Sequence, residues 1–253
     1  MKLELLVSAV EKDPRSLAEA MKIASDAVIV NQCDHHGYTA WKENGREIRC
    51  FSMEERGVGL SRNTALLFAH EDIRFDEGYE KKVLEAFLKN PDADVITFNF
   101  RVDERRATYH NAGERRIRWY NYGRYPTYSV AARLSALRKS NVSFSLLFGG
   151  GARYSNGEDS LFLHDCLKKR LHLYTSVEEL GEEEYRESTW FKGYNEKFFV
   201  DRGVLYPFLY GKLAKVFALR FLLAHRQEMC GQIPLPEAYR LMKTGISEGK
   251  QRR

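Results

Sequence analysis

Two adjacent carboxylates, Glu158 and Asp159, follow a glycine run, Phe148-Gly149-Gly150-Gly151-Ala152, and a turn-forming Ser155-Asn156-Gly157. Glycines lack Cβ, so a ligand can approach their backbone and φ can turn positive. A carboxylate beside such a wall can take a proton from a hydroxyl as a general base. The same pair in the first turn of a helix is also what the helix dipole favours with no ligand at all. A second group is Asn31-Gln32-Cys33-Asp34, at the end of an apolar run. An acid just past the carboxyl end of a strand accepts hydrogen bonds from a ribose hydroxyl or a base N–H, or simply caps a turn. A third, Gly57-Val58-Gly59-Leu60-Ser61-Arg62-Asn63, places glycines before a helix start. Free N–H groups there, and the forked guanidinium of Arg62, suit a phosphate, although the spacing is neither a Walker loop nor a dinucleotide fingerprint. The fourth, Ser188-Thr189-Trp190-Phe191-Lys192-Gly193-Tyr194, mixes aromatic and polar side chains. Its Trp190 can stack on a sugar or pack on the core.

Other candidates carry less. His35-His36 has no third ligand nearby in sequence and reads as part of a polar loop. Cys33, Cys50, Cys166 and Cys230 form no CxxC pair, which excludes zinc-ligand spacing. Reduced thiols are expected.

These groups need elements to hold them. Leu3 to Val10 reads as a strand buried on both faces, as in a parallel sheet. Asp13-Pro14 opens a helix, Asp as cap and Pro in the first turn, with Leu17, Ala20, Met21 and Ala24 at helical spacing. Ala27 to Asn31 is a second strand, residues 34–46 a polar stretch rich in turns, and Ile48 to Ser52 a third strand. A helix follows from Ser61 to about Ala69, another from Tyr79 to Lys89, and a strand from Asp94 to Phe100. This alternation predicts an α/β fold with a doubly wound, mostly parallel central sheet and ligand chemistry at the strands' carboxyl ends. Residues 101–148 read as short strands and turns, Gly157 to Arg170 as a helix, 171–177 as a strand, and the acidic run Glu178 to Glu187 as a solvated face. From about Phe198 the chain reads as helical, with a short last helix over 236–246 and a frayed tail. The expected organisation is residues 1–197 as the binding domain and 198–253 as a helical extension packed on it.

The 253 residues suit one large domain, and 43% apolar content excludes disorder over most of it. The excess of 40 Lys+Arg over 35 Asp+Glu is too small to imply nucleic-acid binding. The N-terminal apolar stretch is broken by Glu4, which argues for a strand and against a signal peptide. Phe208 to Arg226 mixes basic and apolar residues. Such a helix either lies on an anionic membrane surface or packs on the domain with Lys212, Lys215 and Arg220 facing water.

Taken in order, LLVSAV, VIVNQCD, GLSRN, DADVITFNF, FGGGARYSNGED and STWFKGYNEKFF resemble the family 2 glycosyltransferases of the GT-A fold. More narrowly, they are similar to a bacterial branch of surface-polysaccharide (capsule-type) enzymes, and the resemblance covers most of the chain. It implies transfer of a sugar from a UDP-type nucleoside-diphosphate sugar to a hydroxyl on a glycan or lipid-linked glycan. It implies a cytoplasmic enzyme, at the inner face of the membrane where the acceptor is lipid-linked. By the same resemblance Ser8 and Val10 border the base, Asp34 binds the base or ribose, and Arg62 contacts the diphosphate. Asp159 is then the base, with Glu158 beside it, and Gly150, Gly151 and Trp190 lie on the acceptor side. The family also uses Mg²⁺ or Mn²⁺, held by a DxD motif at the end of the strand after the SRN helix. Here that stretch is His70-Glu71-Asp72-Ile73-Arg74-Phe75-Asp76-Glu77-Gly78, with no DxD, and Ile73-Arg74-Phe75 is short for a central strand. Asp76 or Glu77 is the substitute in reach. The alternative reading is a protein of this fold that binds nucleotide or glycan without turnover.

Overall fold

The computed structural model describes residues 3–54, 69–70 (backbone), 73–103, 107–184 and 193–253. The first strand, β1 (Glu4–Val10), pairs in parallel with β2 (Asp26–Gln32), Val10 opposite Gln32. Helix α1 (Pro14–Ala20) joins them, and Asp13 caps it as expected, its carboxylate accepting from the Ser16 N–H at 2.9 Å. Next to β2 lies β4 (Arg46–Met53), also parallel, and at the outer edge β3 (Gly37–Glu43) runs antiparallel to β4. On the other side of β1 lies β5 (Ala69–His70), parallel, with His70 opposite Ser8. The order is β3-β4-β2-β1-β5.

Of the polar stretch 34–46, residues 34–36 are irregular, as the turn-rich reading has it, but Gly37–Glu43 is a strand. Asn44 and Gly45 both take positive φ, 48° and 77°, the two-residue turn that reverses a strand on itself. β3 lacks an apolar alternation because it is exposed except at half-buried Trp41, which lies 5.0 Å from the Arg15 guanidinium.

A second sheet has the order β6-β9-β7-β8, formed by β6 (Ile73–Phe75), β9 (Leu173–Glu183), β7 (Val95–Arg101) and β8 (Val130–Ala132). Only β7 and β9 are parallel there. The architecture is thus α/β with two mixed sheets, in place of one mostly parallel sheet. Helix α2 (Tyr79–Lys89) ends at Asn90 and leads into β7, which is buried along its length except at Arg101. The core between these elements includes Val7, Ile29, Tyr79 and Phe98.

The acidic run is also different from its reading. β9 carries it to Glu183 because β6 pairs with it and two arginines face its carboxylates. Arg101 binds Asp76 in a forked pair at 2.6 and 2.8 Å and Glu179 at 2.5 Å, and Arg74 pairs with Glu184. Arg101's hydrogen bonds hold the Asp76 carboxyl below its ordinary range. A carboxyl depressed on folding stabilises the fold above its unfolded pKa, and that contribution is lost as pH falls through the folded value. Arg101→Gln should then cost about 1 kcal/mol at pH 7, since both partners are partly exposed. Urea unfolding followed against pH should show the deficit shrinking below about pH 4. A deficit constant into strong acid would assign the effect to packing.

The third helix, α3 (Leu134–Ser140), follows β8, and α4 (Glu158–Lys168) precedes β9. The chain ends in α5 (Glu196–Tyr210), a 3₁₀ turn (Gly211–Leu213), α6 (Ala214–Ala224), α7 (Arg226–Met229) and α8 (Leu235–Arg252). The tail is not frayed: α8 runs to Arg252, and Glu248 accepts from the Tyr154 hydroxyl at 2.6 Å and pairs with Arg252 at 3.1 Å. Helices α5 and α8 cross backbone to backbone. A Cβ on Gly245 would lie 2.1 Å from the Val200 carbonyl oxygen, and one on Gly249 would lie 2.3 Å from that of Val204. Phe148, Tyr154 and Leu161 belong to the same core as Phe199, Leu222 and Met242, so the glycine turn and the base of α4 rest on the C-terminal helices.

Candidate functional site

Parallel pairing puts the carboxyl ends of β1, β2, β4 and β5 at one edge of the first sheet. Ser8 is half-buried and Val10 is 36% exposed at the end of β1. Buried Asn31 fixes the chain beyond Val10: its side chain accepts from the Lys12 N–H at 3.1 Å and donates to the Lys12 carbonyl at 2.8 Å. Asp34 lies just past β2 at the same edge, exposed, bonded to the His35 ring at 2.9 Å.

Glu158 and Asp159 open α4, as the sequence implies, after Gly157 at φ 110°. A Cβ at Gly157 would strike Leu205 at 2.4 Å, so only glycine lets α4 begin against α5. The turn before it is tight: Gly149 N–H donates to the Tyr154 carbonyl at 2.9 Å, and Tyr154 N–H to that of Leu147 at 3.0 Å. Buried Asp201 of α5 fastens the next residues, accepting from both the N–H and the hydroxyl of Ser155, at 2.9 and 2.8 Å, and pairing with Lys197 at 2.6 Å. Gly150 is buried and Gly151 exposed in this turn.

The two carboxylates part company. Glu158 lies over Gly149, whose added Cβ would sit 3.0 Å from the Glu158 carboxyl carbon. Asp159 instead accepts a hydrogen bond from the Thr127 hydroxyl. Thr127 is buried in the 3₁₀ turn Thr127–Ser129, and β5 packs against that turn. Contacts therefore link Ser8 to β5, β5 to the turn Thr127–Ser129, and Thr127 of that turn to Asp159. No spacing in the sequence marks Thr127.

A second feature missed in the sequence is the pair Trp119–Tyr120, 71% and 70% exposed, with rings edge to face at 5.7 Å. Buried Ile117 and Tyr122 anchor the turn that presents them, and the 3₁₀ turn Tyr122–Arg124 packs against α4. Arg115, Arg118 and Arg124 are exposed around it.

Arg62 and Trp190 lie outside the described residues, as do the glycines at 57 and 59. The short segment at Ile73 is resolved into two strands: β5 returns the chain to the side of β1, and β6 joins the second sheet. The Asp76 carboxylate takes both hydrogen bonds of the forked pair with Arg101, and Glu77 beside it is exposed. Among the described residues one cluster of possible ligands occurs, Cys33, Asp34 and His35. Thiol and imidazole donors do not suit Mg²⁺ or Mn²⁺, which take oxygen ligands, so this cluster does not fit the family's ion. Glu71 and Asp72 follow β5 in sequence, outside those residues. The four thiols are free, and burial pushes Cys50 up to about 11 and Cys166 to about 12, which makes both inert at neutral pH.

A groove of about 450 Å³, lined by Ile23, Glu43, Arg46 and Asp76 among others, opens at the opposite edge of the first sheet, by the amino ends of the strands. Chemistry in open α/β sheets sits at the carboxyl ends, so this groove is not taken as the site. Compared with known proteins, the chain matches no family model and no curated protein.

Proposed function

We propose that the chain is an inverting glycosyltransferase of the GT-A type, similar to the family 2 enzymes. It would move a sugar from a nucleoside-diphosphate donor to a hydroxyl on a glycan or lipid-linked glycan, at the cytoplasmic face of a membrane. The observation that carries this reading is the series of contacts from Ser8 through β5 and the turn Thr127–Ser129 to Asp159. It supports the reading because it links one carboxylate, bonded to a buried hydroxyl, to the strand ends to which the nucleotide is assigned. The donor's base and ribose are assigned to Ser8, Val10 and Asp34, and its diphosphate to Arg62.

The acceptor hydroxyl gives its proton to Asp159 as its oxygen bonds to the anomeric carbon. The bond from that carbon to the diphosphate oxygen breaks on the opposite face, and the electron pair leaves with the nucleoside diphosphate. Direct displacement inverts the anomeric centre. The leaving group needs positive charge, which Arg62 supplies in part. The acceptor side is assigned to Gly150, Gly151 and, by the resemblance, Trp190, and Trp119–Tyr120 offers a further stacking surface near the turn that packs on α4.

The test is release of nucleoside diphosphate from a panel of donor sugars, with and without Mn²⁺. Release that depends on the donor supports the reading, and its absence across the panel with nucleotide binding intact reduces the protein to a binder. In the same preparations Asp34→Ala and Arg62→Ala should each weaken nucleoside-diphosphate binding by about 1–3 kcal/mol, the scale of a charge-assisted hydrogen bond. Calorimetric affinities unchanged in both variants would remove the proposed nucleotide site.

A further inference from the structure

The outward face of α6 and the turn before it leave four large apolar side chains in the open. Leu213 is 57% exposed, Val216 63%, Leu219 38% and Leu223 53%. The inward face is already satisfied, because Ala214, Ala218 and Leu222 are fully buried in the C-terminal core. Helical spacing brings Val216, Leu219 and Leu223 to one side. Basic residues share that exposure. Residues 211–226 contain Lys212, Lys215, Arg220 and Arg226 and no Asp or Glu, and all four are exposed. Among the described residues none of them makes an ion pair.

An exposed apolar stripe of this kind marks a contact surface. The charge decides what covers it. A second copy of the chain would press Lys215 and Arg220 toward their own counterparts. A nucleic acid would satisfy the cations and leave the leucines in water. An anionic bilayer surface takes both, the apolar side chains entering the acyl boundary and the cations meeting the headgroups. The segment can lie on a bilayer but not cross it, since no helix among the described residues is long and apolar enough.

We propose that the outward face of α6 docks the protein on an anionic lipid surface. This deepens the membrane placement in the proposed function by assigning the surface that makes the contact, and it does not depend on turnover.

Co-sedimentation of the full chain with vesicles tests it. Phosphatidylcholine vesicles containing roughly 30% phosphatidylglycerol should bind at least ~10-fold more tightly than phosphatidylcholine alone, with the preference weakening as salt rises. Lys215→Glu/Arg220→Glu should lower that binding ~10-fold or more. Val216→Gln/Leu223→Gln should also lower it, with circular dichroism and melting unchanged because these side chains are exposed. Equal binding to both vesicles, or no loss in either double variant, overturns the proposal. So does a concentration-dependent dimer in vesicle-free solution that Val216→Gln/Leu223→Gln dissociates, which would give this face to a second copy. Donor hydrolysis without vesicles reads the transferase separately: lipid binding without hydrolysis sinks that reading alone, and hydrolysis without lipid binding sinks this one.

Discussion

Asp159→Asn is expected to lower turnover by about 100-fold or more, the usual scale for a lost general base, while nucleotide affinity stays within a factor of about three. The asymmetry between the two carboxylates is the reason to single out Asp159. Glu158 lies beside Gly149, close to where a side chain at that position would begin. Asp159 is aimed by the hydroxyl of Thr127, a residue buried in the turn that backs onto β5. Asparagine keeps the shape and still accepts from Thr127, but it cannot hold the acceptor's proton. Glu158→Gln should cost much less. Thr127→Val offers an independent check, because it removes one hydrogen bond to the carboxylate without removing the carboxylate. Turnover should fall by roughly 10-fold, with no change in nucleotide affinity. Full turnover in Asp159→Asn with loss in Glu158→Gln would exchange the two roles. Full turnover in both would leave the pair as a helix start and nothing more.

Gly245→Ala should destabilise the protein by about 3 kcal/mol or more, at the upper end for overpacking. The new Cβ would meet the Val200 carbonyl oxygen at 2.1 Å, the Val204 nitrogen at 2.8 Å and the Gly203 Cα at 3.0 Å. All three are backbone atoms, so no side chain can rotate out of the way. Helices α5 and α8 would have to separate, and their shared core with Phe148 and Tyr154 would open. Alanine's better helix propensity, worth about 1 kcal/mol over glycine, offsets only part of this. Gly231→Ala is the control, since a Cβ there meets nothing within 4 Å. Equilibrium urea unfolding of both variants reads the difference. A loss below about 1 kcal/mol for Gly245→Ala would mean that the crossing is looser than its geometry.

What the sequence made legible follows from where its signals were local. Asp13-Pro14 fixed one helix start, and the unbroken apolar runs of β1, β2 and β7 identified buried strands. Glu158-Asp159 after Gly157 marked a helix start that the structure keeps. Less was legible where pairing is decided by distant residues. β3 has no apolar face to betray it, although Asn44-Gly45 was a sufficient hairpin signal. The extension of β9 into its acidic run depends on Arg74 and Arg101, about 75 or more residues away in the chain, whose charges the sequence order does not bring near. The helix expected from Ser61 to about Ala69 lies outside the described residues except at its last position, and β5 (Ala69–His70) was not legible because two residues carry no periodicity. Thr127 was invisible for the same kind of reason: a lone threonine gains its role only from the fold around it.

The hairpin of β3 and β4 closes through two residues, whereas the bond from Thr127 to Asp159 closes a separation of 32 and β5 must find β1 from some 60 residues away. Local hairpins form in about 1–10 μs, and longer closures wait on the entropy of the intervening chain. The sheet edge can therefore assemble early, while the carboxylate, its threonine and the strand behind them come together only once the chain has passed residue 159. A polypeptide emerging from the ribosome would carry most of its first sheet long before it carried the carboxylate proposed as proton acceptor, and would gain that group only after residue 159 had been made.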